Sequence, residues 1–205
     1  MNHPPDYTAP GTAPLPPLPP MSASEAPPQL QPLPEPIMLK SDEYPTVSVV
    51  VLNYNGLKHL ETCFNSLLSL DYPTGQLELM LVDNGSNDAS LTFMRERFPQ
   101  VRIVETGSNL GFAAGNNYGA ERATGQYVAF LNNDTRVEPD WLKEMVESVI
   151  AGREQGVVCT SSLMLDWSGK KIDFQAGGLN FHGFGFQPSY GLSVEGRDIV
   201  PRDLL

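Results

Sequence analysis

The sequence predicts an α/β domain, a mostly parallel sheet flanked by helices, preceded by a disordered proline-rich tail. Three observations carry that prediction. Short apolar runs alternate with amphipathic helical stretches from Val47 onward, the pattern of parallel strands joined by right-handed helical crossovers. The first run is near-continuously apolar, as in a strand covered on both faces. Upstream of it the texture is entirely different, since 14 of the 19 prolines lie in residues 1–45.

Taken in order, residues 1–45 contain Leu-Pro and Pro-Pro repeats such as Pro14-Leu15-Pro16-Pro17-Leu18-Pro19-Pro20. Proline lacks the N–H that a ladder needs and blocks helix, so this tail is expected to be disordered or locally polyproline II, with a Pro-x-x-Pro protein ligand as an alternative to a solvated tail. Val47-Ser48-Val49-Val50-Val51-Leu52 then reads as the first strand. Leu57, Leu60, Phe64, Leu67 and Leu68 recur at helical spacing, and Asp71-Tyr72-Pro73-Thr74-Gly75 ends that helix. Leu77–Val82 is the second strand. Asp88 can cap a helix carrying Leu91, Met94 and Phe98 on one face.

Val101–Val104 gives a third strand, Phe112–Ala123 a helix of small residues, and Tyr127–Leu131 a fourth strand. Pro139 sits where a first helical turn accepts proline, before a helix lined by Trp141, Met145, Val146 and Val149. Gly156–Thr160 reads as a fifth strand. After Leu165 the pattern gives way to Gly-rich, aromatic sequence, Gly177-Gly178-Leu179-Asn180-Phe181-His182-Gly183-Phe184-Gly185-Phe186, read as loops or short hairpin strands.

Composition narrows the function. With 205 residues there is room for one ordinary domain plus a tail. The formal net charge is -11, without any run of Lys or Arg, which removes the electrostatic footprint of nucleic-acid binding. No apolar run reaches the roughly 20 residues of a membrane span. Nor does the N-terminus show a signal-peptide pattern, so a cytoplasmic, reduced chain is expected. Cys63 and Cys159 lie in apolar stretches without metal-type spacing and are expected to be two buried free thiols.

In open α/β sheets ligands bind beyond the carboxyl ends of the strands, where the strand order reverses. Four polar clusters follow the first four strands: Asn53-Tyr54-Asn55-Gly56, Asp83-Asn84-Gly85-Ser86, Gly107-Ser108-Asn109-Leu110-Gly111 and Asn132-Asn133-Asp134. Each alone is ordinary turn chemistry. With an order 3-2-1-4, however, all four share one edge, and Asn53, Tyr54 and Asp134 border one crevice. Gly111, Gly115 and Gly119 are spaced by four, along one helix face where a strand or a ligand can approach the backbone. No P-loop ending follows Gly111, and no Gly-x-Gly-x-x-Gly follows the first strand.

These same residues resemble a known family. Val-Ser-Val-Val-Val-Leu-Asn-Tyr-Asn-Gly at 47–56, Val-Asp-Asn-Gly-Ser-Asn-Asp at 82–88, Asn-Leu-Gly-Phe-Ala-Ala-Gly-Asn-Asn-Tyr-Gly at 109–119 and Phe-Leu-Asn-Asn-Asp at 130–134 are similar in order and spacing to family 2 glycosyltransferases of the GT-A fold, especially the rhamnosyltransferase-like branch. The resemblance implies a nucleotide-sugar-binding domain over 46–165 and the start of an incomplete acceptor region over 166–205. It implies metal-dependent transfer, with inversion, from a UDP- or dTDP-linked sugar to a glycan or lipid-linked acceptor, at the inner face of a membrane if attached there; the alternative is a catalytically incomplete nucleotide-sugar-binding or interaction module.

Residue by residue, Tyr54 resembles the aromatic that packs on the base, and Asp83 the carboxylate that accepts from a pyrimidine ring N–H. Asn109 and the backbone from Gly111 to Asn116 resemble the segment against the ribose, diphosphate and sugar. Asn53, Asn55 and Asn84 belong to the same polar rim. Asn132-Asn133-Asp134 resembles an Asp-x-Asp motif with amides at its first two positions, which leaves Asp134 to reach Mg2+ or Mn2+; one carboxylate suffices when diphosphate and water complete the shell. The family's catalytic base lies in a downstream acidic pair. Glu195, Asp198 and Asp203 do not resemble it, so none is assigned that role.

Overall fold

A computed structural model describes residues 37–174, 178–179, 185–187 and 189–195. The expected proline-rich tail as far as residue 36, the segments at 175–177, 180–184 and 188, and the end of the chain from residue 196, with Asp198 and Asp203, lie outside the described residues. The elements are β1 (Val47–Asn53), α1 (Leu57–Leu68), β2 (Leu77–Asp83), α2 (Ser90–Arg97), β3 (Arg102–Glu105), α3 (Phe112–Ala120), β4 (Tyr127–Asn132) and α4 (Trp141–Ala151). A short 3-10 turn over Arg153–Gln155 and two small antiparallel pairs follow: β5 (Met164–Leu165) with β6 (Ile172–Phe174), and β7 (Gly178–Leu179) with β8 (Gly185–Phe186).

The first four strands form one parallel sheet in the order β3-β2-β1-β4, the expected reversal. Register is in step along the site edge. Asn53 pairs with Asp83 on one side and Leu52 with Asn132 on the other, so Asn133 falls opposite Asn53. Because side chains alternate across a strand, Asp83, Asn53 and Asn133 all continue the face formed by Val47, Val49, Val51, Leu79, Leu81 and Leu131.

That face carries the main core. Leu60, Cys63, Phe64 and Leu67 of α1, Met94 of α2 with Phe98 just beyond it, and Leu142 and Val146 of α4 are buried against it. At roughly 1.5–3 kcal/mol per fully buried large apolar side chain, this layer is the dominant stabilising element. The opposite face, Val50, Met80 and Val82, is covered by α3. There the glycines have a packing reason. A Cβ on Gly119 would sit 2.7 Å from both Val50 Cγ1 and Val82 Cγ2, and one on Gly115 2.6 Å from Leu52 Cδ1, whereas Gly111 has nothing within 4 Å. Two of the three evenly spaced glycines therefore admit strands.

Several expectations need correction. Gly156–Thr160 is not a strand. Gly156 closes the 3-10 turn in the left-handed region at φ 86°, Val157 folds back onto Gly152, and Val158 is 86% exposed and pairs with no strand among the described residues. Cys159 is exposed there, and only Cys63 is the buried thiol expected. Pro139 stands two residues before α4, where its carbonyl accepts the Asp71 N–H at 2.8 Å and ties the entry to α4 to the end of α1. The buried face of α4 is Leu142 and Val146, with Trp141 and Met145 half-buried. Helix α3 stops at Ala120, and β3 begins one residue later than expected.

Candidate functional site

All four polar clusters arrive at the carboxyl edge of the sheet. Within them the side chains divide into two sets, those consumed by the protein and those left facing outward. Asn53 is fully buried. Its Nδ2 donates to Ser86 Oγ at 3.1 Å and faces Asp83 Oδ1 at 3.4 Å, while its Oδ1 accepts from Asn133 Nδ2 at 2.7 Å. Asn84, also buried, is a latch on the next loop. Its Oδ1 accepts the Leu110 N–H at 2.9 Å, and its Nδ2 donates to Asn109 Oδ1 at 3.1 Å and the Gly111 carbonyl at 3.2 Å. Both amides are engaged within the protein, which fixes the loops they join.

Asp83 is 2% exposed, and its Oδ2 accepts the Ser86 N–H at 3.0 Å. A carboxylate offers about four acceptor positions, and with Asn53 and Ser86 taking two of them, two remain for an incoming donor. Asn55, the one described non-glycine residue with positive φ (52°), receives the Asn87 N–H on its Oδ1 at 2.8 Å and gives its own N–H to Ser86 Oγ at 3.0 Å. Asparagine tolerates this region better than other L residues. The strained turn is thereby welded to the β2–α2 loop.

The outward set is Tyr54, 49% exposed, with Asn109, Gly111, Asn132 and Asp134 also exposed and Asn116 half-buried. Asn116 Nδ2 donates to the Phe112 carbonyl at 3.0 Å, and Asn109 Oδ1 accepts the Gly111 N–H at 2.8 Å, closing the turn into α3. Asn132 contributes its carbonyl to Thr135, at 3.3 Å from the backbone N–H, so it shapes the loop that presents Asp134. Beneath that loop, burial and the nearby Asp134 charge push the Cys63 thiol up to about 12.

Ser86, Asp88 and Gly56 were not singled out as site residues in the sequence, yet each organises the rim. Ser86 Oγ accepts from Asn53 and from Asn55. Asp88 accepts the Ser90 N–H at 3.0 Å and the Leu57 N–H at 3.2 Å, capping the starts of α2 and α1 together. Such residues are visible in sequence only as turn formers, because nothing in the chain tells which backbone N–H a short polar side chain will meet.

Among the described residues no group of three His, Cys, Asp or Glu could hold a metal ion by itself. Asp134 is exposed and in no ion pair with a described residue. A single outward carboxylate on a rim fits Mg2+ or Mn2+ whose remaining oxygens come from a diphosphate and water. A shallow groove lined by Asp42, Asp71, Tyr72, Gln76 and Lys143 lies at the opposite, amino end of the sheet, and Lys143 is already paired with Asp71 at 2.5 Å. It shares no residue with the rim.

A parallel sheet covered on both faces, with polar loops gathered at the carboxyl edge where its strand order reverses, is an α/β domain of the kind that takes ligands at that edge. The family model described as "Glycosyl transferase family 2" matches residues 48–163, more than half of the chain, and the protein belongs to that family. Among relatives, glycosyltransferase AglE of Haloferax volcanii is 29% identical over 133 residues, 63% of this chain and 40% of that one. EpsH of Bacillus subtilis is 32% identical over 135 residues, 64% of this chain and 38% of that one. The chain thus spans about two fifths of the length of these curated relatives. Among solved structures, mannosyltransferase PcManGT from Pyrobaculum calidifontis, in complex with GDP-Man and Mn2+, matches with a TM-score of 0.50 and 27% identity, over 55% of this chain and 34% of that one. The GT-A fold is therefore the fold of this domain. No helix among the described residues is long and apolar enough to cross a membrane.

Proposed function

We propose that this chain carries the donor-binding part of a glycosyltransferase, taking a UDP- or dTDP-linked hexose such as rhamnose and passing it, with inversion, to a glycan or lipid-linked acceptor. The observation that carries the proposal is the β3-β2-β1-β4 order, which brings Asp83 and the Asp134 loop to either side of Asn53 on one edge. Support comes from the Pyrobaculum mannosyltransferase, whose solved complex holds a nucleotide sugar together with Mn2+. Residues 46–165 would be the donor domain, and 166–205 the start of the acceptor side.

Buried Asp83 and the outward residues each have a task their chemistry suits. Tyr54 offers a rigid aromatic face to the base at low entropic cost. Asp83 accepts from a ring N–H, which selects uracil or thymine over bases lacking that donor. Asn109, Gly111 and Asn116 border the ribose and diphosphate. Asp134 would hold Mg2+ or Mn2+. A bound divalent cation stabilises the charge that develops on the departing diphosphate. The general base toward the acceptor hydroxyl is left unassigned, because Glu195, Asp198 and Asp203 do not form an acidic pair like the one that carries it in the family.

The test is calorimetric titration of the chain with UDP and dTDP, with and without Mn2+. The expected result is binding tightened by Mn2+ in the wild type and insensitive to Mn2+ in Asp134→Ala. Absence of submillimolar binding, or an unchanged Mn2+ effect in the variant, would refute the assignment.

A further inference from the structure

We propose that Asn133 and Asn53 are positioning residues for base recognition, forming an amide relay that holds the buried Asp83 carboxylate from the loop bearing Asp134. This rests on the donor-site reading above and goes beyond it, since it assigns the middle position of Asn132-Asn133-Asp134 to the base rather than to the cation.

The geometry begins with the sheet. Asp83, Asn53 and Asn133 are neighbours across β2, β1 and the end of β4 at one level and on one face. The chain of contacts runs from Asn133 Nδ2 to Asn53 Oδ1 at 2.7 Å, then from Asn53 Nδ2 to Ser86 Oγ at 3.1 Å and Asp83 Oδ1 at 3.4 Å. The direction of the Asn53 amide is not arbitrary. A carboxylate only accepts, so the NH2 of Asn53 must face Asp83 and its carbonyl oxygen must face residue 133. Residue 133 must then donate. An amide does so, whereas an aspartate there would set a carboxylate against the Asn53 carbonyl oxygen and either repel it or turn the amide round against Asp83.

An independent feature points the same way. Gly56 has φ -106°, which any residue adopts, so its backbone does not require glycine. What requires it is space. A Cβ there would lie 2.1 Å from Asn133 Nδ2 and 2.5 Å from Asn53 Oδ1, on top of the hydrogen bond that joins them. The glycine after Asn53-Tyr54-Asn55 leaves room for the relay.

The relay has a consequence for binding. Asp83 is buried and makes few contacts of its own, so its alignment to an incoming ring N–H depends on Asn53 and Ser86. Losing the Asn133 bond frees Asn53 to rotate, and one charge-assisted contact to the base is misaligned.

The experiment uses the full chain and three variants, Gly56→Ala, Asn133→Asp and Asn133→Ala. Metal-free titrations are run with UDP and with inorganic pyrophosphate, and the Asn53 side-chain amide resonance is followed by 1H–15N NMR. The relay predicts that UDP weakens about five- to tenfold in each variant, that pyrophosphate is unaffected, and that the Asn53 resonance moves. Unchanged UDP affinity in variants of a chain that binds UDP overturns the relay and leaves the donor site standing. Parallel loss of UDP and pyrophosphate shows a merely structural role and also overturns it. A wild-type chain that binds no UDP overturns the donor reading, and base positioning with it.

Discussion

Replacing Glu78 by glutamine removes a charge that β2 carries into the molecule at the end opposite the site. Glu78 Oε2 accepts from the Ser48 hydroxyl and from the N–H and hydroxyl of Thr124, at 2.9 and 2.8 Å, and Oε1 accepts from Arg102 at 2.8 Å. Partial burial works against the charge, but these donors outweigh it and hold the carboxyl at about 2, down from an ordinary 4.5. That gap is worth roughly 3 kcal/mol at about 1.4 kcal/mol per tenfold. With the side chain 20% exposed, solvent screening reduces it to about 2 kcal/mol.

The folded-state value is the depressed one, so this stability is full above about pH 4.5 and disappears as the pH falls through about 2. Glu78→Gln should therefore lower the unfolding free energy by about 2 kcal/mol at pH 7, or the melting temperature by roughly 4–8 °C. The gap to wild type should shrink between pH 4.5 and 2. Urea unfolding from pH 7 to 2 measures it. A gap that stays constant across that range, or one below about 0.5 kcal/mol at pH 7, would show that these donors do not hold the Glu78 charge. The site has a stake in the result, because the turn at Thr124 joins α3 to β4 and so sets the height at which β4 delivers Asp134.

Two other outcomes follow from packing. Gly119→Ala places a methyl into Val50 and Val82 and should cost roughly 1–3 kcal/mol by urea unfolding, as overpacking at a helix–sheet contact does; Gly107→Ala, where a Cβ meets nothing but φ is 78°, separates backbone strain from this clash. Native-state thiol labelling at neutral pH should modify Cys159 rapidly and Cys63 only on unfolding, since Cys63 is buried with its thiol near 12; equal labelling rates would contradict the placement of α1 over the sheet.

The strand order and the four-loop rim were legible because apolar runs of strand length leave little freedom in a parallel sheet, and because the polar residues after each run have one edge to occupy. The misread fifth strand shows the limit. Val157-Val158-Cys159 is apolar enough for a strand, but a strand exists only where a neighbour supplies partners, and the turn at Gly156 sends this segment to the surface. The same blindness hid the roles of the asparagines. Asn53, Asn84 and Asn109 look alike in sequence, yet the first two are buried latches and the third is exposed, a difference set by strand alternation and by which loop packs overhead. Glu78 was invisible for a related reason. A carboxylate within a strand reads as a solvent-facing position until Ser48, Arg102 and Thr124 are seen around it.

The most direct test of the donor-site claim is to map binding on the chain by 1H–15N NMR, adding a UDP-sugar and then Mn2+. A donor site on this edge predicts shifts of the backbone amides of Tyr54, Ser86, Asn109 and Gly111 on adding the nucleotide sugar, and Mn2+ line broadening centred on Asp134. Shifts confined to Asp71, Tyr72 and Lys143 at the other end of the sheet, or broadening that spares Asp134, would contradict it.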